Sequence, residues 1–120
     1  EHEASAITNI NIKTIDDART AGKKICELGV GKSIITMGEK GVLCTRNSLD
    51  NKGLHLPSIK LKDRVIDTVG AGDVFNGAFA TAISEGTNLE DSLLFANKAA
   101  SISVTKIGAA LSSPYRDQIK

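Results

Sequence analysis

An α/β layered fold is predicted by the order of local patterns along the chain: helix, strand, hairpin, helix, helix. Three observations carry the prediction. A capped amphipathic segment covers 14–29. Short runs rich in Val, Ile and Thr follow, separated by glycine-bearing turns. Two further helical patterns then fill most of the second half.

The elements follow in order. Residues 1–9 are a short helix candidate. Thr14 with Asp17 three positions later is a capping-box variant that opens a helix over Ile15–Leu28. Its apolar positions Ile15, Ala18, Ala21, Ile25 and Leu28 recur with helical spacing, and Gly29 suits the residue just past its end. Ser33–Met37 reads as a short buried strand of the kind found in parallel sheets. Gly38-Glu39-Lys40-Gly41 is a turn, and Val42–Thr45 is a second strand. Asn47–Gly53 is polar and hairpin-like. Gly53–Leu56, with Ile59 and Leu61, is a third strand candidate. Val65-Ile66 is a short strand. A helix is expected from about Gly72 to Glu85, stopped by Gly86. Asn88 with Asp91 caps another, from Leu89 to about Val104. Pro114 marks a turn before a short terminal helix. The strands are few for a self-sufficient sheet. The chain does not begin with Met and starts on a helical stretch, so it is expected to be a piece of a longer protein.

Composition narrows the function classes. The length of 120 residues suits one ordinary domain. Fifteen Lys and Arg against 14 Asp and Glu give a net charge of +1, no electrostatic footprint for nucleic acid or an anionic membrane. Aromatic residues make up 3%, too few for a base-stacking platform. No apolar run approaches the roughly 18 residues that cross a bilayer, and no signal peptide pattern is present. Cys26 and Cys44 lack metal-type spacing and are expected to be buried, reduced thiols of a cytoplasmic protein.

The chemistry concentrates at Asp67-Thr68-Val69-Gly70-Ala71-Gly72-Asp73. Gly70, Ala71 and Gly72 carry almost no side chain, so their backbone can approach a ligand closely. The expected helix starts there, and a helix N-terminus favours an anion. Asp73 is a carboxylate in a place suited to phosphate. It either caps the helix or acts as a base toward something held beside the phosphate.

Two common phosphate motifs do not account for this stretch or its neighbours. Gly29-Val30-Gly31-Lys32-Ser33 looks like the end of a P-loop, but Cys26 stands where the first Gly belongs. The segment also runs helix–loop–strand, the reverse of the P-loop order. Gly70-Ala71-Gly72 does not complete a dinucleotide fingerprint, because Phe75 occupies the third glycine position.

The run Asp67–Ala78 resembles the signature of the ribokinase-like (PfkB) carbohydrate kinases. Glu1-His2-Glu3 resembles the end of that family's Asn-x-x-Glu magnesium motif. Thr36–Gly41 resembles its Thr-Leu-Gly-x-x-Gly nucleotide turn. Ala96–Ala109 and Ser112–Arg116 resemble the C-terminal run of the bacterial members that act on ribose. The likeness covers essentially the whole chain.

The resemblance implies a layered sandwich with a mainly parallel sheet, of which residues 1–120 form the C-terminal nucleotide-binding portion, without the N-terminal sugar-binding part and lid. It implies ATP-dependent phosphorylation of a sugar hydroxyl, with ribose favoured over the substrates of fructokinase, ketodeoxygluconate kinase and nucleoside kinase relatives. A non-catalytic nucleotide-binding fragment is the alternative outside the enzyme class. Asp73 would be the base, in contact with sugar and ATP. Gly70, Ala71 and Gly72 would form the anion hole. Thr36, Met37, Gly38, Glu39, Lys40, Gly41, Gly72 and Asn97 would contact ATP. Asp67 and Ser112, with backbone oxygens of Val69, Ser103, Lys106 and Gly108, would hold K⁺. Glu3 would help organise Mg²⁺ through water. The parent enzyme would be a homodimer, and the piece alone would be catalytically inert. Asn97 as a solvent-facing residue, and Ala96, Ala99 and Ala100 as plain helix packing, are the competing readings for the second half.

Overall fold

Local sequence signals set most element boundaries in the computed structural model, which describes residues 1–46, 52–61, 65–108 and 111–119. The chain divides into two units, Glu1–Pro57 and Ser58–Lys120.

In the first unit, helix α1 spans His2–Thr8 and ends on Asn9, whose φ of 57° is left-handed. Helix α2 spans Ile15–Glu27. The expected capping box is present. Thr14 Oγ1 accepts the Asp17 amide at 3.1 Å, and Asp17 Oδ2 accepts the Thr14 amide at 2.9 Å. Gly29, at φ 114°, follows the helix end and bonds back to Cys26 O at 3.0 Å.

Strands β1 (Lys32–Thr36), β2 (Val42–Arg46) and β3 (Leu54–Leu56) form one sheet in the order β1-β2-β3. Both pairings are antiparallel, with Ile35 opposite Leu43 and Leu43 opposite His55. This corrects the expectation that Ser33–Met37 lies in a parallel sheet. The turn at Gly38–Gly41 is too short for a crossover, so consecutive strands joined by it must run antiparallel. The strand also begins one residue earlier, and its burial alternates rather than being continuous. The third strand is confined to Leu54–Leu56, leaving Ile59 and Leu61 outside it. Most of the expected hairpin at Asn47–Gly53 lies outside the described residues.

Ala4, Ala18, Ala21, Ile35, Met37 and Leu43 form the core of this unit, bordered by Ile10, Ile12, Ile15 and Ile25. Full burial of a side chain such as Leu43 contributes roughly 1.5–3 kcal/mol. Cys26 and Cys44 are buried free thiols, as expected. Burial pushes the Cys44 thiol above its ordinary range. Gly22 of α2 lies so close to the sheet that a Cβ there would stand 2.4 Å from Thr45 Oγ1.

In the second unit, helices α3 (Ala71–Ser84) and α4 (Leu89–Ser103) pack as a helical hairpin. Gly86, at φ 84°, makes the turn. Its amide bonds to Ile83 O and the Thr87 amide to Ala82 O, each at 3.0 Å, which is a Schellman closure. Asn88 caps α4 by accepting the Asp91 amide at 2.9 Å. Phe75 and Ala82 of α3 and Leu93, Ala96 and Ala99 of α4 are buried. The terminal helix is a short 3-10 turn, Arg116–Ile119. It is tied to α3 by the Arg116 Nη1 bond to Glu85 Oε1 at 2.6 Å. Val65-Ile66 is not a strand. Its side chains are exposed, and the Ile66 amide donates to Val104 O at 2.8 Å.

Candidate active site

The second unit builds its site around the start of α3. Gly70 is the N-cap residue, with φ 80° and ψ 0°, a left-handed conformation suited to glycine. No side chain caps the helix. The Ala71 amide makes a long bond of 3.3 Å to Thr68 O, and the Val74 amide bonds to Gly70 O at 2.9 Å. Gly72 is exposed, and a Cβ built on it would meet nothing within 4 Å. Unpaired amides at such an end, with the helix dipole, attract negative charge.

Asp73 occupies the third position of the same turn and is exposed. Its carboxylate makes no hydrogen bond or ion pair among the described residues, so it is not a capping group. Asp73 also lines an open groove of about 560 Å³ shared with Gly77, Thr81, Phe95, Pro114 and Arg116. None of these last five residues has a site role in the sequence motifs. Their common face depends on how α3, α4 and the terminal turn pack, which no single motif encodes.

Asp67 sits just upstream and ties two loops together. Oδ1 accepts the Val69 amide at 3.0 Å and Oδ2 accepts the Gly108 amide at 3.2 Å. These two bonds, Val69 first, hold the Asp67 carboxyl below the usual carboxylate range. The Asp67 amide itself donates to Val104 O at 3.2 Å. The loop after α4 thus closes on the loop before α3, gathering Asp67, Val69 and Gly108. Ser103 and Ser112 are buried, and the Ser103 carbonyl accepts the Lys106 amide at 3.2 Å. A carboxylate and main-chain carbonyls are hard oxygen donors, the type that suits an alkali or alkaline-earth cation, and here both Asp67 oxygens and the Ser103 carbonyl accept main-chain amides.

Asn97 is only 7% exposed, which removes the reading of it as a solvent-facing residue. Ala96 and Ala99 are buried in α4, in keeping with helix packing.

The first unit carries the turn at Thr36–Gly41. The Met37 amide bonds to Gly41 O at 2.8 Å, the Lys40 amide to Met37 O at 3.0 Å, and the Gly41 amide to Gly38 O at 3.0 Å. Gly38, Glu39 and Lys40 are exposed, whereas the Met37 side chain belongs to the core. Gly41 is obligatory, because a Cβ there would lie 2.0 Å from Leu56 O and its φ is 90°. Glu3 is exposed on α1. Among the described residues no group of three or more His, Cys, Asp or Glu is gathered. Gly29–Gly31 is a loop leading from α2 into β1, as the failed P-loop match implies.

The profile of the pfkB family carbohydrate kinases matches residues 1–116. The ribokinase of Bacillus subtilis is 40% identical over 120 residues, covering 100% of this chain and 36% of that protein. The crystal structure of ribokinase from Thermotoga maritima is 42% identical with a TM-score of 0.84, covering 99% of this chain and 38% of the other. The structure of Arabidopsis thaliana ribokinase complexed with ribose and ATP is 34% identical with a TM-score of 0.89, covering 99% and 37%. The chain therefore spans little more than a third of the length of these relatives. Among the described residues no helix is long and apolar enough to cross a membrane.

Proposed function

Because the chain belongs to the pfkB family of carbohydrate kinases, we propose that the protein it represents transfers the γ-phosphoryl group of ATP to a sugar hydroxyl, with ribose as the sugar. The observation that carries this reading is the start of α3, an uncapped helix end with an exposed Asp73 in its first turn.

The chemistry follows from that arrangement. Phosphoryl transfer needs alignment and charge neutralisation more than covalent participation by the protein. The sugar oxygen forms a bond to the γ-phosphorus while the bond to the β,γ-bridging oxygen breaks and ADP leaves. Asp73 takes the hydroxyl proton as that bond forms. The backbone of Gly70, Ala71 and Gly72 faces the charge on the transferring group with fixed N–H dipoles. Thr36–Gly41 and Asn97 contact the nucleotide in this reading. Asp67, Ser112 and the carbonyls of Val69, Ser103, Lys106 and Gly108 would hold K⁺, whose bound charge would help neutralise the site and stiffen the loop before the anion hole. Glu3 would help hold Mg²⁺ through water. A cytoplasmic, homodimeric enzyme is part of the same reading.

Ribose-dependent ADP formation, measured on the full-length protein with a panel of sugars and nucleosides, tests it. We expect the highest kcat/KM on ribose and no detectable turnover by residues 1–120 alone. ATP binding by the full-length protein with no transfer to any sugar in the panel would instead support a non-catalytic nucleotide-binding role.

A further inference from the structure

We propose that His55 is a positioning residue for the turn at Thr36–Gly41. The inference rests on the reading above that this turn contacts ATP. The turn has few side chains to recognise a ligand with. Met37 is packed in the core, Gly38 and Gly41 have no side chain, and the Lys40 ammonium donates to Lys13 O at 2.6 Å. What the turn offers is chiefly its main chain near Gly38 and Glu39, so its usefulness depends on its shape.

His55 holds that shape from outside. Its Nε2 lies 2.7 Å from Lys40 O. A carbonyl only accepts, so Nε2 carries the proton and donates. The ring is anchored on β3, opposite Leu43 of β2, which is fully buried. Lys40 is thereby gripped at both ends, by its side chain at Lys13 O and by its carbonyl at His55. The groups proposed for chemistry, residues 70–73, belong to the other unit. Loss of His55 should loosen nucleotide binding and leave the chemical step alone.

The test uses the full-length protein, with initial rates against ATP concentration and thermal melts. His55→Ala is expected to raise the KM for ATP about threefold to tenfold, the range that one ordinary hydrogen bond supports, with kcat within about twofold. His55→Gln, whose amide donates at similar reach, is expected to return KM to within about twofold of the parent. The melting temperatures of both should stay within about 2 °C of it. Should His55→Ala fail to fold, the decisive pair is His55→Gln against His55→Leu, which keeps bulk and donates nothing. An unchanged KM in His55→Ala, or equal KM values in the Gln and Leu variants, would overturn the proposal. An unmodified protein that neither binds nor consumes ATP would instead remove the functional reading beneath it.

Discussion

Helices α2 and α3 both carry an aspartate at the third position of their first turn, and they use it in opposite ways. Asp17 folds back onto the amides of Lys13 and Thr14 at 3.0 and 2.9 Å. Helix α4 follows α2, with Asp91 Oδ2 accepting from Asn88 Nδ2 at 2.7 Å. Asp73 makes no such bond, and its N-cap position is held by a left-handed glycine with no side chain to offer. A capping carboxylate has its acceptor capacity committed, whereas Asp73 keeps its own for a ligand. The same contrast separates the glycines of the two units. Gly41 is wedged against Leu56 O and Pro57, while Gly72 opens onto space. One turn is shaped by its own fold, and the other is left open at the proposed anion site.

Substitutions can break this contrast on the packed side first. Gly41→Ala must push Leu56 O away and adopt a positive φ, so it should destabilise the first unit by about 2–4 kcal/mol in urea unfolding. Thr14→Ala removes the α2 cap and should cost about 1 kcal/mol in the same assay. Asp17→Asn, which removes the carboxylate itself, should flatten the acid limb of stability. Amide bonds from Lys13 and Thr14 lower the Asp17 pKa from its ordinary 3.8. That contribution is fully present above the unfolded value and is lost as pH falls through the lower folded value. The variant should therefore show a shallower loss of stability below about pH 4. Gly72→Ala should change stability least, by about 0.5 kcal/mol or less, because the site is open and alanine suits a helix. A comparable loss in Gly72→Ala and Gly41→Ala would erase the distinction between the two turns.

Much of this was legible in the sequence where the signal is local. The Thr14–Asp17 box, the Asn88 cap, the stop at Gly86 and the extents of α2 to α4 depend on residues a few positions apart. Strand direction was not legible from Ile34-Ile35 alone. The deciding fact was the short turn at Gly38–Gly41, which forces an antiparallel return. Val65-Ile66 shows the opposite failure. A β-branched pair has strand propensity, but among the described residues no strand pairs with it. The place of Gly70, Ala71, Gly72 and Asp73 at the start of α3 was readable because these residues are neighbours in the chain. The burial of Asn97 depends on the packing of α4. The groove wall at Phe95 and Arg116 and the reach of His55 to Lys40 depend on contacts across many residues, which spacing does not reveal.

Asp73 differs from Asp17 and Asp91 in the use proposed for it, service to a reacting group. The most direct measurement is turnover and ATP binding, side by side, in the full-length protein carrying Asp73→Asn. In that variant kcat should fall by about 10²–10⁴ with ATP affinity kept within about threefold. Near-normal kcat in that variant would contradict it.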